Sequence, residues 1–201
     1  MRLAQQDYER IGAAIRAAEE QTAAEIVCVL ARRASDYSSV APLWAAFVAL
    51  AAPWPLLLLS PMPPRLIFAA QIIVFIVATL FFSWEPLRLR LIPRRVKRAR
   101  AHRAAIEQFF ARGVGATHNR CGVLIFVSLA ERYTRIVADS GVSGKIGEDE
   151  WRAALDLLRG HMREGEIADG FVAAVAECAR IAAKHVPPDG NDDLPNKIYV
   201  M

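Results

Sequence analysis

The sequence predicts an α/β domain, a small mixed sheet flanked by helices, that is interrupted by a two-helix transmembrane hairpin. Three observations predict it. No charged residue or histidine occurs from Tyr37 to Pro64, and none occurs from Leu66 to Trp84. Two short apolar runs, Glu25–Leu30 and Gly122–Ser128, stand on either side of those stretches and read as buried strands. Apolar residues at helical spacing precede the first run and follow the second. The reading divides the chain into residues 1–40, the first part of the domain; 41–84, the hairpin; 85–103, a basic juxtamembrane segment; 104–187, the second part; and 188–201, a C-terminal tail.

The first helix is amphipathic. Tyr8, Ile11, Ile15 and Ala18 recur at helical spacing with Asp7, Glu9, Arg10 and Arg16 between them. The opening residues carry no apolar core and no small-residue cleavage site, so they are expected to belong to the folded domain and not to direct export. Glu25-Ile26-Val27-Cys28-Val29-Leu30 then supplies one strand. One helix and one strand cannot close a core, so residues 1–40 must meet the second part. Two crossings between them return the chain to its starting side.

The second apolar stretch, LIFAAQIIVFIVATLFFS, approaches the ~20 residues a helix needs to cross a bilayer. Only Gln71, Thr79 and Ser83 relieve its apolar character, which is not the pattern of a surface helix in a soluble domain. The first stretch contains Pro42, Pro53 and Pro55, and a kink is expected near Pro53. The linker Ser60-Pro61-Met62-Pro63-Pro64-Arg65 is short and helix-breaking, so the two spans run antiparallel. Ala45 and Ala49 have the spacing that permits close helix packing, within the hairpin or between copies.

Flanking charge sets the expected orientation. Arg88, Arg90, Arg94, Arg95, Lys97, Arg98, Arg100 and Arg103 follow the second span, Arg32 and Arg33 precede the first, and the turn holds only Arg65. Positive charge marks the cytoplasmic side, which places both termini in the cytoplasm of a bacterial-type inner membrane. Trp44 and Trp84 fall at the ends expected on that side, where indoles favour the headgroup level. The basic run reads as a topology-setting flank and also as a lipid contact. Arg88, Arg90, Arg94, Arg95, Lys97 and Arg98 would each contribute about 1 kcal/mol against an anionic surface. Nucleic acid is not an expected partner, because no aromatic residues interleave with the arginines for base stacking.

Beyond the flank, Arg100 to Arg112 predicts a helix with Ile106, Phe109 and Phe110 on one face, stopped by Gly113 and Gly115. Gly122–Ser128 is the strongest strand, continuous enough to be central and covered on both faces. Glu131 and Arg132 form a turn, and Tyr133–Asp139 pairs back on the central strand. Glu148, Asp149 and Glu150 load the start of the next helix with negative charge, as the helix dipole favours. Trp151, Leu155, Leu158 and Met162 are its buried stripe, and Gly165 closes it. The last helix starts near Asp169 and Gly170, carries Phe171, Val175, Cys178 and Ile181, and ends before Pro187 and Pro188. The tail from Asp189 to Met201 is expected to be extended or loosely ordered.

The order helix, EIVCVL strand, helix, CGVLIFVS strand, YTRIVAD strand and two further helices resembles the TPM domain family. Residues 119–141, NRCGVLIFVSLAERYTRIVADSG, are most similar to the family's Asn-Gly-Val-Leu-type strand and the strand that follows. The chain departs from that pattern in three ways: Arg120 and Cys121 stand between Asn119 and Gly122, the family's usual export signal is not read in the opening residues, and a hairpin interrupts the domain. The resemblance implies a membrane-embedded bacterial member, and an association of plant relatives with acid phosphatase activity.

Little in the sequence carries catalytic chemistry. GVSGKIG, from Gly141 to Gly147, lacks the spacing of a phosphate-binding loop and reads as a flexible turn. His102, His118, His161 and His185 are scattered, with no zinc spacing. Asp189, Asn191 and Asp193 resemble the start of a calcium loop, but Leu194 replaces the required glycine. Cys28, Cys121 and Cys178 are isolated in apolar runs and read as core residues of a reducing compartment. Glu25 and Asp139, acids at strand ends, are the candidate catalytic residues, with a divalent cation as the one possible cofactor.

Three function classes follow. The first is a membrane-anchored interaction module, whose partners are membrane lipids and another membrane protein or a second copy, serving assembly, stability or regulation of a membrane complex. The second is a weak metal-dependent acid phosphatase. The third, a small pore, needs polar residues repeated along one helix face, and Gln71 and Thr79 have no counterpart in the first span. The missing site chemistry favours the interaction module.

Overall fold

The computed structural model describes residues 3–59, 63–84, 89–117, 119–147, 149–188 and 194–201. The chain forms two compact units, one of Met1–Ala34 with Arg98–Met201 and one of Ser35–Lys97.

The first unit is built on a four-stranded mixed sheet. Its strands are β1 (Glu25–Ala31), β2 (Gly122–Ser128), β3 (Tyr133–Ala138) and β4 (Ile198–Val200), in the order β3-β2-β1-β4. β1 pairs in parallel with both β2 and β4, and β3 pairs antiparallel with β2. Every residue of β1 and β2 is buried, which accounts for their unbroken apolar sequence. Both strands need cover on both faces.

One face carries Ile26, Cys28 and Leu30 beside Val123, Ile125 and Val127. Three helices cover it: α1 (Gln5–Glu19), and two from the end of the chain, Trp151–Glu164 and Ile167–Ala182. They contribute Ile11, Ile15, Leu158, Phe171, Val175 and Cys178 to that core. The opposite face carries Val27, Val29, Leu124 and Phe126. It is covered by Ala104, Ala105 and Phe109 of the helix Arg94–Ala111 and by Val114 of the short 3-10 turn that follows.

The second unit is a helical hairpin. α2 (Val40–Ala51) and α3 (Pro53–Leu59) precede α4 (Pro64–Phe82), and α2 packs against α4. Proline at Pro42 is accommodated in the first turn of α2, where a missing N–H costs no intrahelical bond. The break at Ala52 just before Pro53 is where a kink is expected. Ala41, Ala45 and Ala49 form a buried stripe of α2, so the small residues serve packing inside the hairpin. Val40–Leu59 and Pro64–Phe82 are each long and apolar enough to cross a membrane, and little of either is buried.

Three local expectations are corrected. The helix expected from Arg100 starts at Arg94 and is named α5 (Arg94–Ala111), so most of the basic run is helical. Phe110 is 70% exposed while Phe109 is buried, because the buried stripe of α5 is Ala101, Ala104, Ala105 and Phe109. The tail is not loose at its end: Ile198–Val200 is the edge strand β4, and Met201 exchanges backbone hydrogen bonds with Leu30 and Arg32. Asp189 to Asp193, the calcium-like segment, lies outside the described residues. The remaining helices are α6 (Ser140–Ser143), α7 (Trp151–Glu164) and α8 (Ile167–Ala182).

Candidate functional site

Glu25 and Asp139 lie at the same end of the sheet, on the two strands that flank β2. Glu25 opens β1 as the register partner of Gly122, and its N–H donates to the Cys121 carbonyl at 3.2 Å. Asp139 follows β3, and its N–H donates to the Gly122 carbonyl at 2.8 Å. Their backbones are therefore two strand spacings apart, about 9–10 Å. Gly122 between them admits no side chain, because a Cβ there would lie 2.0 Å from the Val114 carbonyl oxygen.

Each acid is engaged by backbone. Glu25 is buried, and its Oε2 accepts the Leu194 N–H at 3.2 Å. Asp139 Oδ1 accepts the Ser140 N–H at 2.6 Å and so caps α6. Its other oxygen is enclosed with no hydrogen-bond partner among the described residues, as is the hydroxyl of buried Thr117. Such orphaned polar atoms mark this end of the sheet as the place where the acids could meet a ligand.

The opposite end of the sheet holds a buried carboxylate that the sequence presented as a turn residue. Glu131 is 8% exposed, and both of its oxygens accept the Ala34 N–H at 3.1 Å. Ser128 Oγ donates to the same carboxylate. Glu131 thereby ties the end of β1 to the β2–β3 turn, with Arg132 in a left-handed conformation (φ 50) completing it. A buried acid inside a turn has no local sequence signal that separates it from a solvated one.

Of the predicted lipid-contacting residues, Arg90, Arg94, Arg95 and Arg98 are exposed and Lys97 is half-buried. Arg88 lies outside the described residues. Arg94 and Arg98 stand one helical turn apart on α5, so they repel each other weakly unless an anion lies between them.

His161, Glu164 and Glu166 form the group, among the described residues, that could hold a metal ion. The sequence shows the pattern as His-x-x-Glu-x-Glu, but its convergence depends on the turn between two helices. All three cysteines are buried and reduced, and burial pushes the Cys28 and Cys178 thiols up. Elsewhere, the hydrogen bond from Arg180 holds the Glu177 carboxyl below the usual carboxylate range.

The TPM domain family profile matches residues 69–181, a segment that opens inside α4, contains Asn119–Gly141, and closes within α8; α1 and β1 lie outside it. The chain is also similar to the solution structure of the BA42 protein from the psychrophilic bacterium Bizionia argentinensis. That similarity has a TM-score of 0.63 at 18% identity, covering 100% of this chain and 97% of the other. At that identity the likeness speaks to the fold. No curated protein matches this chain.

Proposed function

Since this chain belongs to the TPM domain family, we propose that it is a membrane-anchored interaction module that assists the assembly, stability or regulation of a membrane protein complex. The observation that carries the reading is the surface of the hairpin. Phe47, Leu50, Leu57, Leu58, Phe68 and Leu80 are each more than half exposed. Contiguous apolar surface on this scale is an aggregation liability in water and the natural surface of a helix in lipid. The hairpin anchors the chain in a bacterial-type inner membrane with both termini in the cytoplasm. Arg90, Arg94, Arg95, Lys97 and Arg98 then lie against anionic headgroups, with Arg88 next to them in sequence.

Anchoring is tested by fractionating cells that express the full chain. Retention in the membrane pellet after alkaline carbonate washing is expected, and release into the supernatant overturns it. The interaction role is tested by site-specific photocrosslinking from exposed positions of the sheet domain in intact membranes. One discrete adduct that survives dilution of expression to low levels is expected; adducts absent from every position overturn it.

A second reading, a weak metal-dependent acid phosphatase, draws support from one feature. Glu25 and Asp139 share one end of the sheet, where Asp139 Oδ2 and Thr117 Oγ1 have no hydrogen-bond partner among the described residues. The interaction reading is preferred, because phosphoryl transfer needs several carboxylates around a metal or a nucleophile with charge stabilisers.

A further inference from the structure

Gly165 ends α7 in a left-handed conformation (φ 86), and its N–H donates to the His161 carbonyl. The Glu166 N–H donates to the same oxygen at 2.9 Å. These two hydrogen bonds to one carbonyl fold the chain sharply and return Glu166 over the last turn of α7. There His161 and Glu164, three residues apart, share a helix face. One donor atom from each of His161, Glu164 and Glu166 lies within 4.8 Å of the other two. His161 Nδ1 stands 2.9 Å from Glu166 Oε2.

The geometry points to a binding site for a divalent transition metal of the zinc type at His161, Glu164 and Glu166. One imidazole nitrogen and two carboxylate oxygens are a mixed donor set that zinc-like ions accept, whereas magnesium and calcium prefer oxygen alone. Two independent features fit a cation here. The two carboxylates converge at the carbonyl end of α7, where the helix dipole already favours positive charge, and no Lys or Arg among the described residues forms an ion pair with either. His161 and Glu164 also line an open concavity of about 550 Å³ together with Ala153, Asp156, Leu157 and Glu177. That space leaves room for the water molecules that complete a three-ligand site. His161 bonds Glu166 when no ion is bound, so the site is assembled before the metal arrives. This site is separate from Glu25 and Asp139, and its fate does not depend on the interaction reading.

The test uses the full chain in detergent, without a polyhistidine tag, titrated with Zn²⁺ alone by calorimetry. One ion per chain is expected, with a rise in Tm on binding. His161→Ala and Glu166→Gln should each weaken binding by about tenfold or more, at least the loss seen when a ligand's own supporting partner is removed. Exposed Glu164→Gln should weaken it without changing the Tm measured in chelator, which separates ligation from folding if His161→Ala fails to fold. Absence of Zn²⁺ binding in the unmodified chain overturns the proposal, and so does binding of equal affinity in Glu164→Gln and Glu166→Gln.

Discussion

Val29 and Phe126 are register partners on adjacent parallel strands, although the whole apolar hairpin lies between them in the sequence. Both are fully buried on the sheet face covered by Ala105 and Phe109 of α5. Parallel neighbours require a crossover connection, and here the crossover from β1 to β2 contains α2, α3, α4 and α5. The central pair of the sheet is therefore made of residues from both halves of a divided domain. Neither half can bury β1 or β2 alone.

The seam between β1 and β2 should be the most sensitive part of the molecule. Truncating the fully buried ring in Phe126→Ala should lower stability by about 3–5 kcal/mol. Gly122→Ala should be destabilising by about 1–3 kcal/mol or more, since its methyl would fall 2.0 Å from the Val114 carbonyl. Thermal and denaturant unfolding in detergent reads both. A change no larger than that of exposed Glu9→Ala would contradict this account of the seam.

Three of the four strands were legible in the sequence: β1 and β2 from their two-sided burial, and half-buried β3 from the turn at Glu131 and Arg132 that returns it to β2. β1 and β2 are apolar at every position but their ends, and both were predictable on that ground. β4 was not, because three residues on a sheet edge after a polar, proline-containing segment carry no periodicity. Helix α5 was legible only in part. Its first two turns, RRVKRAR, are dominated by arginine and lysine, which read as a charged flank until the backbone is seen to be helical. Side-chain convergence was the least legible feature. Glu131 reads as a turn residue until its carboxylate is found under Ala34, and His161 meets Glu166 only because Gly165 adopts a left-handed turn.

Topology gives the second prediction. Positive charge is concentrated after α4 and before α2, while the turn between them carries Arg65 alone. A reporter active only after export should work when fused at Pro63 and fail when fused at Met201. The reverse pattern would place the sheet domain outside the cytoplasm and sink the orientation.

Thiol chemistry gives the third. Cys28 and Cys178 are fully buried, and desolvation, the largest influence on each, raises both thiols above their ordinary range. The reactive thiolate is correspondingly scarce at neutral pH. Cys121 is buried as well and donates to the Asn119 carbonyl at 3.3 Å. Maleimide labelling followed by mass spectrometry should leave all three unmodified under native conditions and modify all three in denaturant. Rapid native labelling of Cys28 would show that the core between the sheet and α8 is not closed.

The Arg180–Glu177 pair on α8 gives the fourth, a pH dependence. Hydrogen bonding from Arg180 lowers the Glu177 carboxyl below its ordinary value of 4.5. A lowered folded-state value means that the pair's stabilisation is fully present above the unfolded value. It is lost as pH falls through the folded one. Glu177→Gln should therefore reduce stability at neutral pH by about 0.3–0.5 kcal/mol, the worth of a helix-surface ion pair. The difference from the unmodified chain should begin to shrink only below pH 4.5 and vanish once the pH is under the lowered folded-state value. A difference that grows on acidification would reverse the sign argued here.

The last prediction concerns chemistry at the sheet end. Glu25 is held by the Leu194 N–H and Asp139 by the Ser140 N–H, on strands separated by β2. Two such acids, with no third carboxylate contributed by the described strand ends, are a poor cradle for a phosphoryl group and its metal. Purified protein should accordingly show no robust hydrolysis of a generic phosphoester at acid or neutral pH. Any weak turnover should require an added divalent cation, because two carboxylates by themselves repel a phosphate and supply nothing to neutralise it. Glu25→Gln and Asp139→Asn separate the alternatives. If turnover is substantial and falls sharply in both variants while their Tm stays unchanged, the acids act on substrate or metal, and the enzyme reading replaces the interaction module. If Tm falls in both and residual turnover does not, their role is the one their backbone hydrogen bonds describe, which is to fasten the ends of β1 and β3.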